Sequence, residues 1–161
     1  MECMRVVVVV LAALGLAGCA GGPWGPIAGG SLAGDRSSER IGNWAFACSS
    51  QYVDLEVRPD DPYSVTIHYY VVDGSLYVEA GDNGRSRWRP MLWADGRARV
   101  RFGDRVFPVV ATEVTDPAEI QRVLPAFYEK DRDEPSDACR AAWEPAVCAF
   151  EGKFYRLDSR G

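Results

Sequence analysis

Apolar and polar positions alternate along much of the chain after residue 50, which predicts strands whose side chains point to two opposite faces. The longest alternating stretch is Ser64–Val72, in which Val65, Ile67, Tyr69 and Val71 share one face. Shorter stretches with the same period are Tyr52–Arg58, Ser75–Ala80, Arg97–Phe102, Arg105–Thr112 and Lys153–Leu157. We therefore expect a protein built mainly from strands.

Turn and helix signals lie between these strands. Asp73-Gly74 and Gly103-Asp104 predict tight hairpins. Helical spacing occurs over Arg85–Ala94, with Pro90 restricted to the first turn, and from residue 115 or 116 to about residue 130. Hairpins predominate, and no strand–phosphate loop–helix unit occurs. The predicted fold class is therefore mainly β with accessory helices, an antiparallel barrel.

A separate apolar run, Val6–Leu16, lies near the N-terminus. It is shorter than the roughly 20 residues that span a membrane, but it is typical of the apolar region of a secretory signal. Leu16-Ala17-Gly18-Cys19 resembles the bacterial lipobox, which predicts cleavage before Cys19 and acylation of that cysteine. Several acyl chains anchor a protein stably in a lipid bilayer. A cleaved signal without lipid and a buried apolar N-terminal strand remain alternatives.

Cleavage at this position divides the chain into three segments. We expect a signal peptide over 1–18, a flexible tether rich in Gly, Pro and Ser over 19–40, and one folded domain over 41–161. Glu2 is unusual in a signal, so translation starts either at Met1 or at Met4. Ala20 favours the outer membrane facing the periplasm, if the cell is Gram-negative. The net charge of −5 gives a polyanion no attraction, so we expect no nucleic-acid partner.

Export also bears on the remaining cysteines, because disulfides persist outside the cytoplasm. Cys139 and Cys148 are nine positions apart, and we favour a disulfide between them that closes a short loop. Cys48 is then a lone buried thiol. The alternative joins Cys48 to one of the two C-terminal cysteines. No CxxC or His-rich spacing occurs, so we expect no metal site.

Four stretches carry a further signal: Asp73–Val78, Trp88–Gly96, Arg97–Phe107 and Val114–Glu119. The second is similar to a Trp-x-x-Asn-Leu-x-Ala-Asn-Pro segment. Together they resemble the FMN-binding split barrel, most closely its deazaflavin-dependent nitroreductase-like branch, a relative of the pyridoxamine phosphate oxidases. This resemblance implies a split barrel, a homodimer, and FMN or a deazaflavin as cofactor. The branch has a Gly-Arg-x-Ser-Gly phosphate-binding segment where this chain has Val57–Pro62, whose two acids would repel a phosphate.

The resemblance also implies site residues. Arg85, Arg87 and Trp88 are the candidates for cofactor binding, because the family's loop approaches a cofactor there. His68 and Tyr70 share one strand face and are the candidate catalytic residues. The alternative for His68, the only histidine, is a hydrogen-bonded position in the barrel or at a dimer surface. No second histidine or nucleophile motif supports a catalytic triad.

Two sets of residues leave alternatives open. Arg97, Arg99 and Arg101 alternate along one strand and either grip an anionic ligand or form a solvated face balanced by acids. The aromatic set either lines a cofactor cleft or belongs to the core; its members are Tyr69, Tyr70, Trp88 and Trp93.

Two functions follow from these observations. We favour a lipid-anchored cell-envelope protein whose split-barrel domain is a binding or structural module. A chain exported unfolded must capture any flavin outside the cytoplasm, where flavins are scarce. The alternative is a membrane-tethered flavin- or deazaflavin-dependent reductase, nitroreductase-like in its chemistry. Its cleft would lie near His68, Tyr70, Arg85, Arg87 and Trp88.

Overall fold

The computed structural model describes residues 21–81, 86–130 and 134–161. The strands are β1 (Asp35–Arg36), β2 (Tyr52–Val57), β3 (Tyr63–Val72), β4 (Ser75–Ala80), β5 (Arg97–Phe102), β6 (Arg105–Glu113) and β7 (Lys153–Ser159). The helices are α1 (Trp88–Ala94), α2 (Pro117–Lys130), α3 (Asp137–Ala142) and a short 3-10 helix, Ala45–Ser49. The six strands predicted from the alternation are all present. The sequence pattern missed β1, α3 and the 3-10 helix.

The sheet closes into a barrel. The hydrogen-bonded order is β6-β5-β2-β3-β4-β7, and β7 pairs again with β6. All pairings around the barrel are antiparallel, whereas β1 lies outside it and pairs parallel with β6. Closure leaves no open strand edge in the barrel. The predicted fold class, mainly β with accessory helices around an antiparallel barrel, is confirmed.

Apolar side chains fill the barrel because alternate positions of every strand point inward. The face predicted for β3 is confirmed, since Tyr69 belongs to this core and the other three residues of that face pack against it. Trp44 closes the end at which β5 and β6 form their hairpin, with its ring centroid 5.5 Å from that of Phe107. Trp88 of α1 belongs to the same core at the opposite end.

Helix α2 covers part of the outer surface of the barrel. Tyr70 lies beneath it, 5.8 Å between ring centroids from Phe127, in a second apolar cluster that includes Val123 and Leu124. The first turn of the helix is anchored to the barrel, because the Tyr77 hydroxyl donates to Glu119 at 2.9 Å. Burial, together with this bond, raises the pKa of Tyr77. None of the helices in the described residues is long and apolar enough to cross a membrane.

Residues 21–36 contact the barrel at several points, whereas the composition of 19–40 predicts a flexible tether. Gly29 and Ser64 exchange two backbone hydrogen bonds, each 2.9 Å long. The Leu32 N–H donates to Glu56 at 2.6 Å. A Cβ on Gly29 would lie only 2.4 Å from the backbone of Gly22, so this glycine reflects close packing and not flexibility. We call residues 21–36 the strap. The predicted signal over 1–18 and the lipidation site Cys19 lie outside the described residues.

The cysteines beyond the strap have two different states. Cys139 and Cys148 form a disulfide, as favoured from their spacing. Cys48 is free and exposed, which corrects the expectation of a buried thiol. It lies on the 3-10 helix, where the neighbouring Ala47 is the residue turned into the core.

Candidate functional site

The arginine row on β5 is paired with carboxylates. The pairs are Arg97 with Asp60 at 2.6 Å and Asp95 at 2.7 Å, Arg99 with Glu56, and Arg101 with Asp54 at 2.6 Å. Hydrogen bonds from Arg97 lower the pKa of Asp95, and Asp95, followed by Asp60, raises the pKa of Arg97. The row is therefore a balanced sheet face, and its guanidinium groups are occupied within the protein.

Glu56 lies at the centre of this face and has no exposed surface. Its neighbours Leu55 and Val57 point into the barrel, so alternation turns its side chain outward, under the strap. Arg99 donates to it, the Leu32 N–H donates at 2.6 Å, and the Ser31 hydroxyl donates at 3.4 Å. These donors satisfy the hydrogen-bonding capacity of a carboxylate that water cannot reach. Glu56 thus joins the strap to the barrel.

The two candidate catalytic residues lie on the outer surface of the barrel. His68 packs against Tyr52 of β2, with 4.5 Å between ring centroids, and Tyr70 is covered by α2. Arg87 lies at the other end of β3, where its Cζ is 5.8 Å from the ring centroid of Tyr63. Five residues of strand, roughly 16 Å, separate Tyr63 from His68. Among the described candidates, the structure therefore does not bring His68 and Tyr70 into one cleft with Arg87.

An open cavity lies beside α1, and we call it the α1 cleft. Its volume is about 690 Å³, and it lies where α1 meets the ends of β4, β6 and β7. Its walls include Arg87, Met91, Trp93, Glu113 and Tyr155. Small-molecule sites usually have volumes between roughly 300 and 1,000 Å³. The α1 cleft therefore has the dimensions of a ligand site.

The helical spacing of α1 gives the cleft its aromatic wall. Trp88 and Leu92, four positions apart, turn inward and are buried. Trp93 then points away from the core and is 77% exposed. Of the four aromatic residues left open by the sequence, Tyr69, Tyr70 and Trp88 are core. Trp93 alone of these four presents its ring to the α1 cleft.

Three of the described charged residues line the α1 cleft: Arg87, Arg89 and Glu113. Arg87 is exposed, and its guanidinium contacts the Tyr63 ring and no carboxylate of the described residues. Glu113 on the opposite side is 3.7 Å from the ammonium group of Lys153. Trp88 is 5% exposed and packs edge-on against Tyr155, with ring centroids 6.2 Å apart, so it supports the cleft wall from behind. Arg85, the third candidate for cofactor binding, lies outside the described residues.

Sequence reasoning missed Tyr155 as a wall of the cleft. It comes from β7, far along the chain from α1, and only the closure of the barrel between β6 and β7 brings it there. No local pattern in the sequence carries that information. In the described parts of the chain, no group of three or more His, Cys, Asp and Glu side chains is arranged to hold a metal ion.

Solved structures share this fold. The chain is similar to a conserved hypothetical protein of Mycobacterium tuberculosis, with 23% identity over 79% of this chain and 86% of that one, and a TM-score of 0.55. It is similar to a candidate pyridoxamine 5'-phosphate oxidase of Listeria innocua, with 14% identity, 73% and 90% coverage, and a TM-score of 0.51. It is also similar to an F420-H2 dependent reductase, with 14% identity over 67% of this chain and 94% of that one, and a TM-score of 0.50. The sequence matches no protein-family model and no curated protein. At these identities the likeness shows the fold alone, which is the split barrel.

Proposed function

We propose that this chain is a lipid-anchored protein of the cell envelope whose split-barrel domain binds a small aromatic, anionic ligand in the α1 cleft. One observation carries the proposal: the cleft combines an exposed aromatic ring, Trp93, with Arg87, an arginine that no described carboxylate neutralises. An apolar cavity with a few convergent polar groups is the usual form of a small-molecule site. The interior of the barrel is filled by side chains, so the ligand binds at this end of it and not inside it.

A flavin or a deazaflavin is the first ligand to test. The fold is shared with a candidate pyridoxamine 5'-phosphate oxidase and with an F420-H2 dependent reductase. The described residues fit such a cofactor: Trp93 and Tyr155 offer aromatic surface and Met91 a polarisable contact for its ring. Arg87 would hold an anionic tail through directed hydrogen bonds. When bound, the cofactor supplies hydride-transfer chemistry.

A membrane-tethered reductase that uses this cofactor is the second candidate. The shared fold favours it. However, His68 and Tyr70 lie on the outer surface of the barrel, away from the α1 cleft. The described lining of the α1 cleft therefore contains no histidine. For this reason we rank a binding module above a reductase.

The sequence supports the anchor in this proposal. Leu16-Ala17-Gly18-Cys19 has the form of a lipobox. The disulfide between Cys139 and Cys148 agrees with an oxidising location, because structural disulfides are rare in the cytoplasm. Ala20 favours the outer membrane, facing the periplasm, if the cell is Gram-negative.

A titration of the full chain in detergent tests the ligand site. FMN and F420 are added separately while tryptophan fluorescence is followed. We expect saturable quenching at micromolar concentration by one of them, and weaker quenching in Trp93→Ala. The matched control is Arg122→Ala, which removes an exposed arginine of α2 and should leave binding unchanged. If neither cofactor quenches the fluorescence, the assignment of a flavin or a deazaflavin to the α1 cleft is wrong.

A further inference from the structure

An exposed apolar turn lies near the start of the strap. The Trp24 N–H donates to the Ile27 carbonyl at 2.9 Å, and the Ile27 N–H donates to the Trp24 carbonyl at 3.1 Å. Gly25, with φ of 56°, and Pro26 form its tip. Trp24 is 81% exposed and Ile27 58% exposed. We call residues 24–27 the apolar turn; it presents two large side chains that the described protein leaves uncovered.

The barrel holds the apolar turn in place. Directly after it, Gly29 pairs with Ser64, and the Ser64 hydroxyl donates to the Gly30 carbonyl at 2.7 Å. Leu32 follows, 3% exposed and bonded to Glu56. A surface that is already ordered loses less conformational entropy on binding than a flexible coil would. The apolar turn is therefore a preformed contact surface.

The distance to the proposed lipid anchor is short. Trp24 follows Cys19 by five residues. A fully extended chain spans at most about 3.6 Å per residue, so the two Cα atoms lie within roughly 18 Å of each other. Residues 20–34 carry no charged side chain, so this approach has no charge to desolvate at a bilayer surface. The apolar turn is thus near any membrane that holds the acyl chains of Cys19.

We propose that the apolar turn inserts into the headgroup region of the bilayer that anchors Cys19, and so orients the barrel on the membrane. The proposal rests on the lipid anchor proposed above. Tryptophan concentrates at membrane–water interfaces, where its ring is buried and its N–H remains hydrated. A second copy of the chain is a poorer occupant, because a stable dimer buries about 800 Å² on each partner, far more than a four-residue turn supplies.

This orientation also places the α1 cleft. A cavity of about 310 Å³ separates the apolar turn from β3, and its walls include Ile27, Tyr63 and Arg87. Arg87 also lines the α1 cleft. Membrane insertion of the turn would therefore bring the rim of the α1 cleft close to the lipid headgroups.

Depth-dependent fluorescence quenching tests the contact. The lipidated full chain is reconstituted in phosphatidylethanolamine–phosphatidylglycerol vesicles that contain lipids brominated at a shallow or a deep acyl position. We expect the shallow bromine to quench the wild-type emission and the quenched component to fall at least twofold in Trp24→Ala. The matched control is Trp44→Phe, which removes the tryptophan at the end of the barrel opposite α1 and should retain that component.

A second variant keeps the tryptophan. Ile27→Glu adds a charge to the apolar turn, and we expect it to reduce quenching of Trp24 at least twofold. Equal quenching of the wild type and both turn variants would overturn the proposal.

Labelling with a radioactive fatty acid, with Cys19→Ser as the unlabelled control, separates the two proposals. Label without Trp24 quenching contradicts membrane insertion and leaves the anchor standing. Absence of label in the wild type contradicts the anchor and this inference with it.

Discussion

The outer face of β2 and β5 and the α1 cleft both carry arginine, but the protein uses it differently in the two places. On the sheet face, each of Arg97, Arg99 and Arg101 bonds a carboxylate, and the strap covers the centre. At the α1 cleft, Arg87 contacts an aromatic ring and no described carboxylate. A dense row of arginines is thus a poor indicator of an anion site. What distinguishes the two regions is whether neighbouring strands supply the countercharge.

The largest effect should come from removing the buried carboxylate of the sheet face. Glu56→Ala leaves Arg99, which is 23% exposed, and the Leu32 N–H without their partner. Removing one partner of a buried ion pair costs about 3–5 kcal/mol of stability, because the other charge is left uncompensated. We expect that loss in the free energy of urea unfolding. The matched control is Glu39→Ala. The Glu39 side chain is 62% exposed and its partner Arg105 is 52% exposed. This substitution should lower the free energy of unfolding by less than about 1 kcal/mol. Similar losses in the two variants would contradict a special role for Glu56.

Loosening the strap should have the next largest effect. Leu32→Ala removes a side chain that is 3% exposed and leaves Glu56 in place. Truncation of a buried leucine costs about 2 kcal/mol or more. We also expect faster proteolysis within residues 21–36, because the strap then opens more often. Ile27→Ala truncates an exposed residue of the same segment and should change neither quantity. A strap that remains resistant in Leu32→Ala would mean that its backbone bonds suffice.

The ion pair between Asp95 and Arg97, at the edge of the arginine row, should contribute least to stability. Its contribution should depend on pH. Arg97 lowers the pKa of Asp95, so the folded state favours the ionised carboxylate. The stabilisation is present above the unfolded pKa of about 4 and is lost as the pH falls through the lower folded pKa. Asp95→Asn should therefore melt slightly below the wild type at pH 7, and the difference should shrink as the pH approaches 2. Thermal unfolding of both proteins across this range measures it. A difference that grows in acid would have the wrong sign.

The strands were predictable because their signal is local. In Ser64–Val72 the period of two assigns the inward face without knowledge of any partner strand. The helix α1 was also predictable in place, since Trp88 and Leu92 have the spacing of one helical face. Pairing was not. The carboxylate partner of Arg99 lies 43 residues earlier in the chain, and the sequence left both a neutralised row and an anion site open.

The strap and Cys48 show a second limit. Glycine-rich composition is common to flexible linkers and to segments whose backbones pack closely, and Gly29 belongs to the second kind. The expectation for residues 19–40 followed composition and missed the contacts with Ser64 and Glu56. Cys48 lies on a helix of five residues, too short for a period to show that Ala47 faces the core.

One paired measurement tests the difference between the two regions most directly. Arg87→Ala and Arg99→Ala are each compared with the wild type for thermal unfolding and for fluorescence quenching by FMN and F420. We expect Arg87→Ala to melt like the wild type and to weaken binding about tenfold, since a charge-assisted hydrogen bond is worth roughly 1.5–3 kcal/mol. Arg99→Ala should lose about 3 kcal/mol of stability, because Glu56 is left buried and unpaired, and should bind with wild-type affinity below its melting temperature. Unchanged affinity in Arg87→Ala, or a loss of affinity in Arg99→Ala alone, would contradict the assignment of ligand binding to the α1 cleft.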